Sequence, residues 1–556
     1  MRHLLLLLLA LAVSAPLGAM QIQNMTVISP ITGQKFDVTG VPAEQGKSTT
    51  DLADLGADDD GCRHTSGPSE YDFYIAVDPF TYFSALSAEW DGRSGRFREE
   101  LPPDMKDWVI KTFNSDWQLD FARVYSVTQQ TMRLQGQVAP DRKDFVMPQQ
   151  TIPLEKRYRY ALQCYEKRGA RAVVLAKIAL TGAWAIRARL NVAVNSPSLD
   201  GGYEEVQDLA LRKTKTGETF VLDKWLLIYR DIFNDASLTN EGYLIAGLTY
   251  FGFVLREGDR AEGDRVLQKM QDRFSKLDKP GSELLRGLVR ERKRMLGEYS
   301  KMLFTATQQF ILAISTEEFP RSRLPPNLMA VAECLRRLGD DETTKNLPRA
   351  YDWYLALAKM PETQPKLRDE IRTQGKAPGP DAPFQVQLGW LADRQLARLT
   401  AAQVIHPPNE ISGPDKRLLN AITYERFGSS DFVNPDWRPR TDGNQQDCAL
   451  MLNLIGQATM DFTFRSGAWP KTLDELWEQD VLKDRNRVNR FCCPVTGVRF
   501  LYTPMSGDVT TAAPRTVVVA TAKPVPTNQG LRYGAYLANN QLVWAETPFT
   551  AGAVAR

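Results

Sequence analysis

Apolar and polar positions change period twice along this chain. Met25-Thr26-Val27-Ile28 and Lys35-Phe36-Asp37-Val38 read as short strands around a turn at Pro30-Ile31-Thr32-Gly33. Residues 71–77 (YDFYIAV) alternate as a half-buried strand does, after a polar, acidic stretch at 49–60. From about Pro102 the spacing becomes helical, opening with Trp108, Ile110, Phe113, Trp117, Leu119 and Phe121. Residues 158–190 are alanine-rich with apolar positions three to five apart, which predicts an amphipathic helical hairpin broken near Lys167-Arg168-Gly169. Residues 242–274 and 327–358 share a plan: two helices around a Gly-Asp turn, at Gly258-Asp259 and Gly339-Asp340, with small residues at the packing face. Such a pair buries its apolar face by stacking on neighbours, as the unit of a helical repeat does. A charged helix is expected at 282–310, a Pro/Gly-rich loop at 374–383 and a further helix at 388–405. After a polar linker at 406–446, with one short helix at 416–427, the period changes again. Two helices, one from Leu450 through Phe462 and ending near Ser466-Gly467, the other 473–482, precede short strands at 499–502, 516–521, 533–537 and 542–545. The last two are joined by Ala538-Asn539-Asn540-Gln541, a hairpin turn because Asn tolerates positive φ.

The extreme N-terminus changes the reading of where the protein works. Arg2 and His3 precede an apolar run at residues 4–13, followed by Leu17-Gly18-Ala19. That run is far shorter than the ~20 residues a spanning helix needs, so residues 1–19 read as a secretory signal cleaved after Ala19. Export to the periplasm or beyond is expected, with no transmembrane segment in the remainder. The 556 residues exceed what one core organises. A net charge of +2 argues against a dedicated nucleic-acid surface. Domains are expected at 20–100 (β-rich), 101–405 (helical) and 447–556 (α+β), with 406–446 as linker.

Export makes disulfides possible. Cys164 and Cys334 lie among helical apolar residues and are expected as buried thiols. Cys62, Cys448, Cys492 and Cys493 lie near turns or element starts and are the disulfide candidates, with connectivity open. Beyond the leader only His64 and His406 remain, too few for a histidine-rich metal site and unfavourable to Ser-His or Cys-His catalysis.

The first two segments together, roughly residues 25–360, resemble an uncharacterised bacterial family with two zinc-knuckle sequences of the type C-P-x-C-G followed by TPR-like helices. Here the knuckles read Ser29-Pro30-Ile31-Thr32-Gly33 and Asp78-Pro79-Phe80-Thr81-Tyr82, and Leu335 to Asp340 (LRRLGD) resembles that family's repeat turn. All four thiolate positions are lost, at Ser29, Thr32, Asp78 and Thr81, so the resemblance implies a zinc-ribbon-like scaffold without its metal. Residues 448–458 (CALMLNLIGQA), 469–476 (WPKTLDEL), Phe491-Cys492-Cys493-Pro494 and the final hairpin resemble the globular head of type II secretion (G-type) pseudopilins. The polymerising membrane helix of such proteins is replaced by polar linker, so no pilus is expected. The fold implied is α+β and multidomain: a small β-rich degenerate zinc-ribbon-like head, a central TPR-like helical repeat and a C-terminal pseudopilin-like head. Residues 493–500 (CPVTGVRF) also echo 29–36 (SPITGQKF), which is read as shared turn geometry.

Candidate chemistry is sparse. Asp58-Asp59-Asp60-Gly61, with Asp51 and Asp54 nearby, could attract calcium but lacks EF-hand spacing, so a solvated acidic loop is expected. Arg286, Arg290, Arg292, Lys293 and Arg294 interleave with Glu283, Glu291 and Glu298 and are expected as a charged exposed face rather than a polyanion site. Phosphate-loop, dinucleotide, nucleophile-elbow and HExxH motifs are absent from the sequence. Trp390, Trp437, Trp469 and Trp544 are expected in cores or interfaces rather than stacked on sugars. The expectation is a non-enzymatic scaffold of the bacterial envelope, without cofactor, taking a protein or peptide partner through its helical repeats, with a secretion or pilus-like assembly as the envelope partner. The alternatives are an envelope-polymer hydrolase using paired carboxylates and a metal-binding module.

Overall fold

The computed structural model describes residues 20–40, 50–52, 54–58, 60, 62–65, 69–191, 194, 196–214, 222–277, 282–316, 318, 323–341, 343–379, 382–404, 410–416, 418–419, 445–478, 491, 493, 495–496, 498–505, 513–527 and 530–554. The proposed leader, most of the 406–446 linker with His406 and Trp437, Cys492 and the end of the expected 473–482 helix lie outside them. The described chain is mostly helical with small antiparallel sheets, an α+β multidomain fold. It divides into two compact units, one of residues 1–170, 175–306 and 336–344, the other of 171–174, 307–335 and 345–556.

In the first unit, β1 (Met20–Ile28) pairs antiparallel with β2 (Lys35–Gly40), Val27 facing Phe36 and Met25 facing Val38. The alternation buries Met25, Val27, Phe36 and Val38 on one face. β1 also pairs with β3 (Thr50–Leu52), and β4 (Asp54–Ala57) pairs with β5 (Arg63–Thr65). The acidic stretch therefore contributes strands, which its polar composition hid. The expected strand at 71–77 is shorter than its alternation suggested. Glu70–Phe73 forms a 3-10 turn capped by the Ser69 hydroxyl, which accepts the Tyr71 N–H, and only β6 (Ile75–Val77) is extended, paired with β7 (Ser84–Leu86).

The helices begin with α1 (Met105–Leu134), α2 (Leu154–Lys167) and α3 (Ala172–Leu190), with Gly169 at φ 71° marking the break between the last two. α4 (Asp200–Lys213), α5 (Leu222–Phe233), α6 (Asn240–Glu257) and α7 (Arg260–Ser275) follow. α6 and α7 form the first expected pair. Gly258 at φ 82° ends α6, and the Asp259 side chain caps α7 by accepting the Glu262 N–H. Gly247 lets them approach closely, since a Cβ there would meet Met270 Sδ at 2.5 Å. α8 (Ser282–Ser315) is the charged helix, five residues longer than expected because Ile311, Leu312, Ala313 and Ile314 continue its apolar pattern. Its basic segment bonds Arg286 to Glu283 and Arg294 to both Glu291 and Glu155. α9 (Leu324–Leu338) and α10 (Asn346–Lys359) are the second expected pair, with Gly339 at φ 65° following the first helix.

In the second unit α10 packs against α12 (Phe384–Ala401), with the short α11 (Pro365–Thr373) between them in sequence. The Asp352 carboxylate accepts the N–H groups of Ser412 and Gly413, and Asp415 accepts from Arg349 and the Trp353 indole. The C-terminal segment lays α13 (Gln445–Ser466) on an antiparallel sheet ordered β11-β10-β8, of β8 (Val517–Ala520), β10 (Gly530–Leu537) and β11 (Leu542–Ala545). Leu452, Ile455, Trp469, Phe491, Phe500, Val519 and Tyr536 make its core. The final hairpin turns as the sequence indicates, with Asn540 at φ 64° and the Leu537 N–H bonded to Gln541 O at 2.9 Å. The second helix shrinks to α14 (Glu475–Glu478) within the described residues, and the strand expected at 499–502 is reduced to isolated bridges at Arg499 and at Leu501, the latter to Ala520. β9 (Val525–Thr527), which holds Pro526, was not anticipated. No described helix is long and apolar enough to cross a membrane.

Candidate functional site: knuckle turns and a buried arginine network

Residues 29–33 and 78–82, read from the sequence as degenerate knuckles, fold into one kind of turn and meet. In the first, Ser29 N–H bonds Gln34 O at 2.8 Å and Gly33 N–H bonds Ser29 O at 2.9 Å. In the second, Asp78 N–H bonds Phe83 O at 2.8 Å and Tyr82 N–H bonds Asp78 O at 2.8 Å. The fifth residue of each turn has positive φ, 76° at Gly33 and 66° at Tyr82. Glycine takes that conformation freely, whereas an aromatic residue is strained in it. Tyr82 is held there by burial, by stacking on Tyr160 at 5.0 Å between centroids and by donating to Asp120 at 3.1 Å. The pattern recurs where no knuckle was read, with Asp91 N–H to Arg96 O and Gly95 N–H to Asp91 O, both 2.8 Å. Its first hydrogen bond recurs at Cys493, whose N–H bonds Val498 O at 2.9 Å as the Ser29 N–H bonds Gln34 O.

The first side chain of each turn points back at the turn's own amides. Ser29 Oγ accepts the N–H of Ile31 and Thr32, and Asp78 Oδ1 accepts that of Phe80 at 2.9 Å. The two turns then join through Asp78 Oδ2, which receives the Ser29 hydroxyl at 2.5 Å and the Thr81 hydroxyl at 2.7 Å. Three of the four expected positions, Ser29, Asp78 and Thr81, are thus brought together and buried. The fourth, Thr32, is exposed and turns its hydroxyl to the Gln34 N–H. Burial pushes the Asp78 carboxyl above the ordinary range against the pull of these hydrogen bonds. The donor set does not fit zinc. One carboxylate with both oxygens already bonded, and two hydroxyls donating to it, replace the soft thiolates a tetrahedral site needs. Among the described residues no group of three His, Cys, Asp or Glu side chains converges as metal ligands would. A cavity of about 540 Å³ lies beside the first turn, with Arg96, Glu99 and Lys106 in its lining.

The acidic loop corrects its sequence reading, because Asp58 and Asp60 are buried, with side chains 6% and 2% exposed. Arg187, wholly buried on α3, grips Asp60 with both terminal nitrogens at 2.9 Å and reaches Asp58 at 3.2 Å. Arg256 adds a 3.1 Å contact to Asp58, and Arg337 Nε lies 2.9 Å from Asp60. The Trp184 indole donates to Asp60 at 3.1 Å. Arg337 also donates to Leu255 O and Arg256 O, which neutralises the C-terminus of α6. Burial alone would raise the Asp60 pKa; the Arg187 and Arg337 guanidiniums override it and hold the carboxyl well below its ordinary range. A carboxylate so engaged is a clamp between loop and helices rather than a calcium ligand. The signal that could have found it is Arg187 itself, a cation between Ile186 and Ala188 in the alanine-rich run 172–190. Arg337 lies in the LRRLGD stretch singled out as a repeat turn.

Among the cysteines, Cys62 stands as a buried thiol beside this network rather than as half of a disulfide, and burial pushes it up to about 11. Cys164 and Cys334 are buried thiols as expected. Cys448 and Cys493 are brought together, with sulfurs 3.1 Å apart. Trp469 is in the C-terminal core with Trp544 packed against it, and Trp390 is half-buried. No family model, curated protein or solved structure matches this chain.

Proposed function

We propose that the chain is an exported, non-enzymatic scaffold of the bacterial cell envelope. In this reading the helical segment that holds the TPR-like pairs presents a surface to a protein partner along its first helix, α1, and the C-terminal pseudopilin-like head is a second docking module. The observation that carries it is an apolar stripe on α1: Leu119, Val127 and Leu134 are 72%, 59% and 83% exposed. Spacings of eight and seven residues keep them on one side of the helix. Large apolar side chains repeated along one helix face mark a protein-binding surface.

The chemistry of the buried groups supports the same reading. The carboxyls whose pKa burial raises are committed to neighbours: Asp78 to Ser29 and Thr81, Asp72 to Arg189, Glu89 to Arg168 and Tyr165. A polymer hydrolase needs two carboxyl groups facing a substrate across a cleft, and these serve structural bonds instead.

The test is capture from envelope extract by the full chain and by a Leu119→Asp/Val127→Asp variant whose helical content is checked by circular dichroism. A specific protein recovered by the parent and lost by the folded variant is expected. Recovery of no specific protein, or equal recovery by both, contradicts the proposal.

A further inference from the structure

Cys448 lies in the first turn of α13, and Cys493 opens the knuckle-type turn that leads to Val498. Both side chains are buried, 0% and 1% exposed, in the core of the C-terminal segment. Their sulfurs are 3.1 Å apart although the residues are 45 positions apart in the chain. We infer that Cys448 and Cys493 form a specific oxidation site, closed to a disulfide by a disulfide-bearing oxidant. A disulfide bond is about 2.05 Å long, so the two sulfurs need to approach by only about 1 Å.

The turn assigns the roles. Like Ser29 and Asp78 in the other turns, Cys493 is the residue on which its own turn's amides converge. The N–H groups of Thr496 and Val495, both within the turn, hydrogen-bond Cys493 and favour its thiolate before α13 docks. The thiolate is the attacking species in disulfide exchange. Cys493 Sγ attacks one sulfur of the oxidant's disulfide, forming a mixed disulfide and releasing the other sulfur, which takes a proton. Cys448 gives up its proton and attacks Cys493 Sγ, expelling the oxidant's remaining sulfur as a thiol. Two protein thiols are oxidised to one disulfide and one oxidant disulfide is reduced to two thiols, with two electrons and two protons transferred. Because both sulfurs are buried in the folded head, the exchange belongs to folding, before α13 closes over the turn. The product ties the start of α13 to the turn beside the sheet. Cys492, adjacent in sequence, is the competing partner that the test must separate.

The experiment refolds the full chain with oxidised glutathione, blocks remaining thiols and digests it with trypsin without reduction. The peptide holding Cys448 is expected to be joined to the peptide holding Cys492 and Cys493, in the parent and in Cys492→Ser alike, and to separate on reduction. A parent chain in which the two peptides stay separate overturns the inference. So does a link present in the parent and lost in Cys492→Ser, which would make Cys492 the partner. This outcome is independent of the scaffold reading, because it depends only on the chain and the oxidant.

Discussion

Truncating Asp78 strands the donors that converge on it, the Ser29 and Thr81 hydroxyls and the Phe80 N–H. Asp78→Ala is therefore expected to cost about 2–3 kcal/mol in denaturant unfolding, as buried donors without partners do. Asp78→Asn keeps an acceptor and is expected to cost less at neutral pH. The two buried carboxyls also differ in the sign of their pH dependence. Asp78 has a folded pKa above its unfolded one. Its contribution is complete below about pH 4, the unfolded value, and is lost as pH rises through the folded pKa. Asp60 has a folded pKa below its unfolded one, so its contribution is present above about pH 4 and lost as pH falls. Asp78→Asn should flatten the loss on the rising side and leave the acid limb in place, which a series of denaturation midpoints against pH would show. Arg187→Met, which leaves Asp60 buried without its bidentate partner, is expected to cost about 3–5 kcal/mol. Adding Asp60→Asn should recover part of that loss; a double variant no more stable than the single one would contradict the clamp.

At the scale of elements, the closest approach in the C-terminal head is between α13 and β10. A Cβ on Gly456 would meet the Tyr536 ring at 2.2 Å, and Tyr536 is fully buried in the core. Gly456→Ala should cost about 1–3 kcal/mol through overpacking, measured by thermal unfolding of the full chain. The helices were legible because their apolar spacing and their Gly-Asp turns agree, and α6 and α7 stand within two residues of the expected segment. The hairpin of β10 and β11 was legible from its Asn pair. What was not legible depended on partners distant in sequence. Residues 71–73 alternate like a strand, but the Ser69 cap winds them into a 3-10 turn. The acidic loop looked solvated because its cations, Arg187, Arg256 and Arg337, lie well over a hundred positions away or more. The turns at 29–33 and 78–82 could be seen as turns; that Asp78 would receive Ser29 could not, since local spacing carries no information about a contact 49 positions apart.

For the whole molecule, the buried carboxylates Asp58, Asp60 and Asp78 bond the protein's own loops and helices to one another. The two turns at 29–33 and 78–82 are the sharpest case, because a carboxylate and two hydroxyls converge there, a donor set that does not suit zinc. The direct measurement is the metal content of the full chain purified without chelator, paired with its melting temperature before and after a strong chelator. The account predicts zinc well below one atom per chain and a melting temperature that the chelator leaves unchanged. One zinc per chain, with a fall in melting temperature when it is removed, would contradict it.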